Sequence, residues 1–389
     1  MNILICTLEY AHYSQNYTGG IGSFYKEYSK QLMLHDETNS VYILCLSTTK
    51  FTGKDEKVNI EFYKPYGFTS KMYRFINTTK KLFRPFSFCI DFYYRFMYSL
   101  KVKKIVQTQK IDIIETHDFK GICSLFKLVG IKTPIVIRAH GANKTLSDLK
   151  IHKVNKTSIF HEKIVNKLFD SFIFISKSSK KYYEDSFSKK ENNIICYNSL
   201  SLHFESKNKV SDYTSKINVC NFGAMSTTKG VGLFIQLACF FKEDPEFQFH
   251  LIGKDTSDFP SDTLANYSNI NYHGMMSHDE LLNKIKEFDI FIFPTHFENC
   301  PMSWIEAMQL HSVILVSNID VSREIVLHNA TGFICNDFKD YVTYLNKLKD
   351  SLYRKKISLN AKKFSDKKFA PKKMVYSSIA FYKRNINAK

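Results

Sequence analysis

Short runs of β-branched and aromatic residues recur along this chain, each followed by a stretch whose apolar residues fall three or four apart. A short apolar run bounded by turn residues reads as a buried strand, and the spacing that follows it reads as an amphipathic helix. NILICTL (2–8), VYILCL (41–46), IDIIET (111–116), TPIVIRAHG (133–141) and DSFIFIS (170–176) predict strands in the first half. After the loop EYAHYSQNYTGG, the residues Ile21, Phe24, Tyr28 and Leu32 share one helical face. The second half repeats the theme with INVCNFG (217–223), FQFHLIG (247–253), NINYHG (269–274), FDIFIFP (288–294) and SVILVS (312–317). Strands alternating with helices predict parallel sheets covered on both sides. Two such blocks predict an α/β protein of two Rossmann-like domains facing across a cleft. The expected boundaries are an N-terminal domain over 1–203, a linker over 204–216 and a C-terminal domain over 217–365. A last helix over 366–389 is expected to pack back towards the N-terminal domain.

Length agrees with this division, because 389 residues exceed what a single core organises. No stretch approaches the roughly 20 uninterrupted apolar residues that span a bilayer. The best candidate, SFCIDFYYRFMYSL (87–100), is broken by Asp91 and Arg95. The N-terminus MNILICTLEY has no basic region of the kind that opens a signal peptide. The nine cysteines form no CxxC pair and no cluster at zinc-ligand spacing, so they read as reduced thiols of a cytoplasmic protein.

A net charge of +18 points to an anionic partner: nucleic acid, a membrane surface or a phosphorylated substrate. Between Phe62 and Lys104, lysines and arginines interleave with Phe and Tyr, and Asp91 is the single acid. That mixture fits the interface of an anionic membrane. It fits single-stranded nucleic acid as well, and equally a pair of ordinary helices with aromatic core faces and solvated lysines. At roughly 1 kcal/mol per basic residue near an anionic leaflet, a handful acting together would hold the protein there reversibly.

Candidate chemistry lies at the predicted strand ends. In PTHFENCPMSWIEAMQL (294–310), Pro301 reads as the first residue of a helix, where its missing N–H costs nothing. The amides of Cys300, Met302 and Ser303 then form a helix N-terminus that favours an anion. Glu298 precedes that end and Glu306 lies within the helix. Two acids flanking an anion site are poor phosphate ligands but good acceptors for hydroxyl groups on either side of it. A cation comes from FGAMSTTKGVG (222–232), where Gly223 follows a strand and Lys229 opens a helix.

These pieces resemble glycosyltransferase family 4, retaining enzymes of the GT-B fold with an E-x7-E motif. The resemblance runs through NFGAMSTTKGV, FHLIGKD, INYHGMMSHDELLNKIKEFDIFIFPTHFENCPMSWIEAMQ and VSREIVLHNATGFI, in the family's order. It continues in GGIGSFYKEYSKQL (19–32), IDIIETHD, VIRAHG, FISKSSKKYY and CYNSLS, while residues 48–108 match nothing in the family. By position, the resemblance implies that Glu298 contacts the donor sugar's hydroxyls and that Glu306 bonds the ribose. The loop Asn299, Cys300, Pro301, Met302 and Ser303 would hold sugar and diphosphate through backbone N–H groups. Lys229 would neutralise the diphosphate, with Gly223 in the turn before it. Gly253, Lys254 and Gly274 would border the nucleoside. Gly19 and Gly20 would admit phosphate or acceptor to the backbone, and His140 would lie against the donor sugar. Two positions depart from the family pattern: Ala224 replaces an arginine, with Lys254 or Arg138 as its candidate substitute, and His311 replaces the glycine after the motif helix.

The resemblance implies transfer of a hexose from a nucleotide-sugar donor to a glycan or lipid-linked saccharide, with retention. The lysine-, asparagine- and isoleucine-heavy composition suits bacterial surface polysaccharide assembly, such as lipopolysaccharide, O-antigen or capsule. No D-x-D pair occurs, so no metal and no other cofactor is expected. The expected location is the cytoplasm, with peripheral contact to the membrane's inner face through 62–104 and no nucleic-acid partner. An epimerase acting on the donor alone, and a basic nucleic-acid-binding protein without catalysis, are the alternatives. An NAD dehydrogenase is disfavoured because GGIGSF lacks the third glycine of G-x-G-x-x-G.

Overall fold

The computed structural model describes every residue except 14–18, 36–39, 79–83, 152–154, 201–215, 257–258, 260–263, 265–266 and 389. The chain forms two compact units: Met1–Asn198 with Pro371–Lys389, and Ser199–Ala370. The expected linker 204–216 lies outside the described residues apart from Lys216.

The first unit contains, in order, β1 (Asn2–Thr7), α1 (Gly20–His35), β2 (Ser40–Leu46), β3 (Phe51–Asp55), β4 (Val58–Tyr63), α2 (Ser70–Thr78) and α3 (Arg84–Thr108). There follow β5 (Ile113–His117), β6 (Ile135–Ala139), α4 (Asn143–Asp148), α5 (Lys156–Leu168), β7 (Phe172–Phe174), α6 (Lys177–Ser186) and β8 (Asn193–Ile195). The sheet runs β3-β4-β2-β1-β5-β6-β7-β8 and is parallel apart from β3 against β4. That antiparallel edge departs from the expected all-parallel sheet. Two residues, Glu56 and Lys57, join β3 to β4, too few for a helical crossover, and Glu56 turns at φ +54°. The polar alternation of β3 (FTGKD) suits an edge strand but carries too little apolar signal to announce one.

The second unit contains β9 (Ile217–Phe222), α7 (Val231–Phe240), β10 (Phe247–Ile252), β11 (Ile270–Tyr272), α8 (His278–Lys284) and β12 (Ile290–Phe293). It continues with α9 (Met302–Gln309), β13 (Val313–Ser317), α10 (Ser322–Ile325), β14 (Phe333–Cys335), α11 (Phe338–Lys347) and α12 (Ser351–Lys368). Its sheet is parallel in the order β11-β10-β9-β12-β13-β14. In both sheets the chain works outwards to one side and then returns to start the other. The switch points fall between β1 and β5 and between β9 and β12. There the connections diverge to opposite faces and leave a crevice beyond the strand ends.

A charged pair lies at the centre of the first unit. Arg138 on β6 and Glu115 on β5 are both sealed from solvent, with Nε donating to Oε1 at 2.8 Å and Nη2 to Oε2 at 3.0 Å. The last helix, α13 (Pro371–Asn387), packs on α1 and adds to the pair's shell, which leaves Arg138 Nη1 without a hydrogen-bond partner among the described residues. Ser378 Oγ accepts from Arg138 Nη2 at 3.0 Å, and the Tyr382 hydroxyl donates to Glu115 Oε2. The rings of Phe24 and Tyr28 lie 5.1 and 4.6 Å from the guanidinium.

Helix α3 has two characters. Tyr94, Tyr98 and Val102 are buried, whereas Phe86, Phe92, Tyr93 and Leu100 stand in solvent. Among the described residues no helix is long and apolar enough to cross a membrane. One prediction follows from the buried pair. Glu115→Ala leaves the guanidinium uncompensated, so the urea midpoint of the first unit should fall by an amount equivalent to about 3–5 kcal/mol. A loss below about 1 kcal/mol would show that the pair does not hold this unit together.

Candidate functional site

At the switch point of the second sheet, the Asn221 side chain donates to Ile292 O at 2.7 Å and ties the end of β9 to β12. Three glycines extend from neighbouring strand ends. Gly223 N donates to Ile252 O at 3.0 Å, and Gly253 N donates to Gly274 O at 2.9 Å. Gly253 has φ +154°, and a Cβ there would lie 1.7 Å from Gly223 O, so only glycine closes this ladder. A Cβ on Gly223 or Gly274 would meet nothing within 4 Å, which leaves the space above those two backbones open to a ligand.

The chain then forms a short 3-10 turn over Thr227–Lys229, capped by Ser226. Gly230 follows in the left-handed region at φ +69°, where a Cβ would stand 1.9 Å from Pro294 O. His296 N donates to Thr228 O at 2.9 Å. The loops after β9 and β12 are therefore locked together, and this brings the Lys229 ammonium to 2.5 Å from Glu298 Oε1. The lysine side chain is 37% exposed and the glutamate 11%.

Helix α9 begins at Met302, with Pro301, whose side chain makes no capping hydrogen bond, as its cap at φ −69° and ψ 117°. Pro301 thus stands one position earlier than expected, because its ψ is extended and the helical turn starts after it. Met302 and Ser303 are half-buried, as is Asn299, while Cys300 is buried. Glu306 is buried, and its carboxyl makes neither ion pair nor hydrogen bond among the described residues; burial pushes it up to about 7. His311 takes φ +58°, so histidine makes the left-handed turn where the resemblance expects glycine. Thr295, directly after β12, is a polar group that motif reading passed over. It is buried, and its Oγ1 lacks a hydrogen-bond partner among the described residues.

Lys254 and Ala224 are exposed, and Lys254 O accepts from Met225 N at 3.0 Å. Arg138 cannot stand in for the missing arginine. Its guanidinium is committed to Glu115 and Ser378 inside the first unit and has no access to solvent.

In the first unit His140 lies just after β6, with its ring against Phe24 at 4.7 Å and Tyr25 at 5.5 Å. Burial, with Arg138 and His117 adding to it, holds its pKa well below the usual value, so the imidazole is neutral. The Asp118 carboxylate accepts from His140 N at 2.9 Å and Gly141 N at 3.2 Å, fixing this turn. Burial and the neighbouring Glu162 raise Asp118 to about 7. Asp118 was legible only as the residue after a strand, and its role depends on a contact 22 residues away. Gly19 N donates to Glu9 Oε2 at 2.9 Å, and Gly20 opens α1 with open space around it. The structure therefore gathers Lys229, Glu298, the α9 end and the glycine ladder in one unit, and His140, Gly19 and Gly20 in the other.

Comparison with known proteins gives the same architecture. Residues 203–364 match the family glycosyl transferases group 1. An uncharacterized 41.2 kDa protein in the cps region of Klebsiella pneumoniae is 26% identical over 303 residues, covering 73% of this chain and 82% of that protein. Sucrose-phosphate synthase from Thermosynechococcus elongatus superimposes with a TM-score of 0.79 at 12% identity over all of both chains. HepE from Anabaena, solved in complex with UDP-glucose, has a TM-score of 0.70 at 13% identity, covering 98% of this chain and 99% of that one. The fold is GT-B.

Two measurements test this geometry. Gly230→Ala should lower the thermal midpoint of the second unit by several degrees, since a strained φ alone costs about 1–3 kcal/mol before the clash with Pro294. An unchanged midpoint would mean the two loops are not locked. For Glu306, the folded carboxyl keeps its proton up to about pH 7 and the unfolded one to 4.5. Its contribution to stability is fully present below pH 4.5 and disappears as pH rises through 7. Relative to Glu306→Gln, the parent should lose about 3 kcal/mol of unfolding free energy across that window. Parallel pH curves for the two proteins would show a solvated carboxylate.

Proposed function

We propose that this chain transfers a sugar from a nucleotide-diphosphate donor to a hydroxyl of a glycan or lipid-linked saccharide, with retention at the anomeric carbon. The observation that carries this reading is the convergence at the β9/β12 switch point. The Lys229 ammonium, the N-terminal end of α9 and the open glycine backbones meet there beside Glu298. The match of residues 203–364 to group 1 glycosyl transferases and the UDP-glucose held by HepE support it.

In the donor-free protein Lys229 and Glu298 occupy each other. Glu298 is largely buried in this pair, so the exchange is feasible because the diphosphate takes the carboxylate's place beside the ammonium and the donor's hydroxyls take the ammonium's place beside Glu298. Lys229 then neutralises the departing diphosphate with the α9 amides, without a bridging metal ion. The released Glu298 carboxylate accepts hydrogen bonds from the hexose hydroxyls, and Glu306 accepts from the ribose. Gly253, Gly274 and Lys254 border the nucleoside. Neutral His140 offers a hydrogen-bonding ring to the sugar without adding positive charge near the reacting carbon, and the Gly19–Gly20 turn admits acceptor to the backbone.

The cps-region relative favours surface polysaccharide, whether capsule or lipopolysaccharide, as the product. The exposed Phe86, Phe92 and Tyr93, on a basic segment, suit peripheral contact with the inner leaflet of the membrane.

Incubation with a panel of nucleotide sugars and a saccharide acceptor tests the reaction. Lys229→Ala and Glu298→Gln should each lower kcat by about 100- to 1000-fold. Normal turnover by both variants would remove the site, consumption of donor with no acceptor needed would indicate an epimerase, and a product of inverted configuration would remove retention. In vesicle flotation the protein should rise with anionic liposomes at low salt and stay down at high salt. No flotation at low salt would remove the membrane contact.

A further inference from the structure

The turn that carries His140 is held by groups that lie outside its own stretch of sequence. It follows β6 and leads into α4, whose cap residue, Ala142, offers no hydrogen-bonding side chain. Two carboxylates, Asp118 and Glu162, each 2% exposed, take up the N–H groups of this stretch instead. Asp118, directly after β5, accepts from His140 N and Gly141 N. Glu162, on α5, holds the residues that follow. Its Oε1 accepts from Asn143 N at 2.8 Å and from Asn143 Nδ2 at 3.0 Å, and its Oε2 accepts from Lys144 N at 2.8 Å.

Glu162 Oε1 also accepts from Lys120 N at 2.9 Å, in the loop that leads away from Asp118. One side chain therefore ties the loop after β5 to the loop after β6. Asp118 and His140 sit on these two loops, so the distance between the loops sets where the imidazole stands. Gly121 makes the approach possible. It takes φ +57°, and a Cβ there would lie 2.5 Å from His161 C and 2.7 Å from Glu162 N. Without a side chain at 121, α5 comes near enough for Glu162 to reach both loops.

The donors around Glu162 fix the chemistry that this position needs. Both oxygens face N–H groups, three at Oε1 and one at Oε2. A carboxylate accepts at both oxygens, whereas an amide has one oxygen and one NH2 group. With glutamine here, in either orientation, an N–H would point at an N–H away from water, and the turn would have to move.

We infer that Glu162 is a positioning residue for the proposed transfer: with Asp118 it fixes the 140–144 backbone and so sets the place of the His140 imidazole. This role rests on the part given to His140 in that reaction.

The test compares Glu162→Gln, His140→Ala, their double variant and Val165→Ala in the full chain. Val165 packs into the main core from the same helix, so truncating it lowers stability without removing a bond to the turn. Glu162→Gln should lower kcat by about 10- to 100-fold and leave the donor KM within about twofold, as expected for a displaced group. Val165→Ala should lower the thermal midpoint and leave kcat unchanged. In the His140→Ala background, Glu162→Gln should cost less than about twofold further, because both changes act on one group. Amide exchange, followed by mass spectrometry without substrate, should quicken at least about tenfold over 140–144 in Glu162→Gln and not in Val165→Ala. Parent-like kcat in Glu162→Gln, an equal fall in Val165→Ala, fully additive losses in the double variant, or unchanged exchange over 140–144 would overturn the inference. Impaired turnover in His140→Ala beside normal turnover in Glu162→Gln removes Glu162 alone. Normal turnover in His140→Ala removes the part given to His140, and with it this role of Glu162.

Discussion

A guanidinium and a carboxylate enclosed away from water constrain the first unit more than any other contact in it. Arg138 and Glu115 lie on adjacent strands with no solvent access, so removing either one leaves a buried charge uncompensated and costs the fold several kcal/mol. Further hydrogen bonds come from the hydroxyls of Ser378 and Tyr382 on the last helix of the chain, while Arg138 Nη1 has no partner among the described residues. The electrostatics of one buried pair thus explain why a segment more than 200 residues downstream belongs to the first unit. The same guanidinium adds to the burial that keeps His140 neutral.

Each sheet repeats one topological feature, and the candidate sites follow it. The chain departs from β9 and later returns at β12, so the loops bearing Lys229 and Glu298 emerge side by side although 69 residues separate them. In the first sheet the departure from β1 and return at β5 open a pocket between Leu8 and Lys120. What differs is the chemistry of the walls. The second unit presents bare backbone and a helix end, which suits phosphate. The first presents rings, hydroxyls and a guanidinium bonded to Asp91 and Gly121 O. Helix α3 lines that pocket with one face and leaves aromatic rings in solvent on another.

The apolar runs in the sequence marked β2, β1, β5, β6 and β7 of the first sheet and β10, β9, β12 and β13 of the second, because a strand buried on both faces needs an uninterrupted apolar stretch. Glu298 and Lys229 could be placed just after strands, and Glu306 in the helix that follows, for the same local reason. The edge strand β3 was not legible, since FTGKD carries too few apolar residues to stand out, and β4 (VNIEFY), which pairs with it, was passed over although its alternation is clear. Arg138 was misjudged as a candidate phosphate ligand: its neighbours in sequence say nothing of Glu115, 23 residues earlier. Asp118, Thr295 and the contact between Gly230 and Pro294 were passed over, because each acquires meaning from an atom far away along the chain.

By itself, then, the sequence determined the α/β character, the two-block organisation and the residue types at the strand ends, all of which depend on periodicity within a few turns of chain. Only the tertiary structure decided which charges are spent in the interior and which face an open crevice. Desolvation and pairing are set by what packs around a group, and that packing is assembled from residues that periodicity cannot connect.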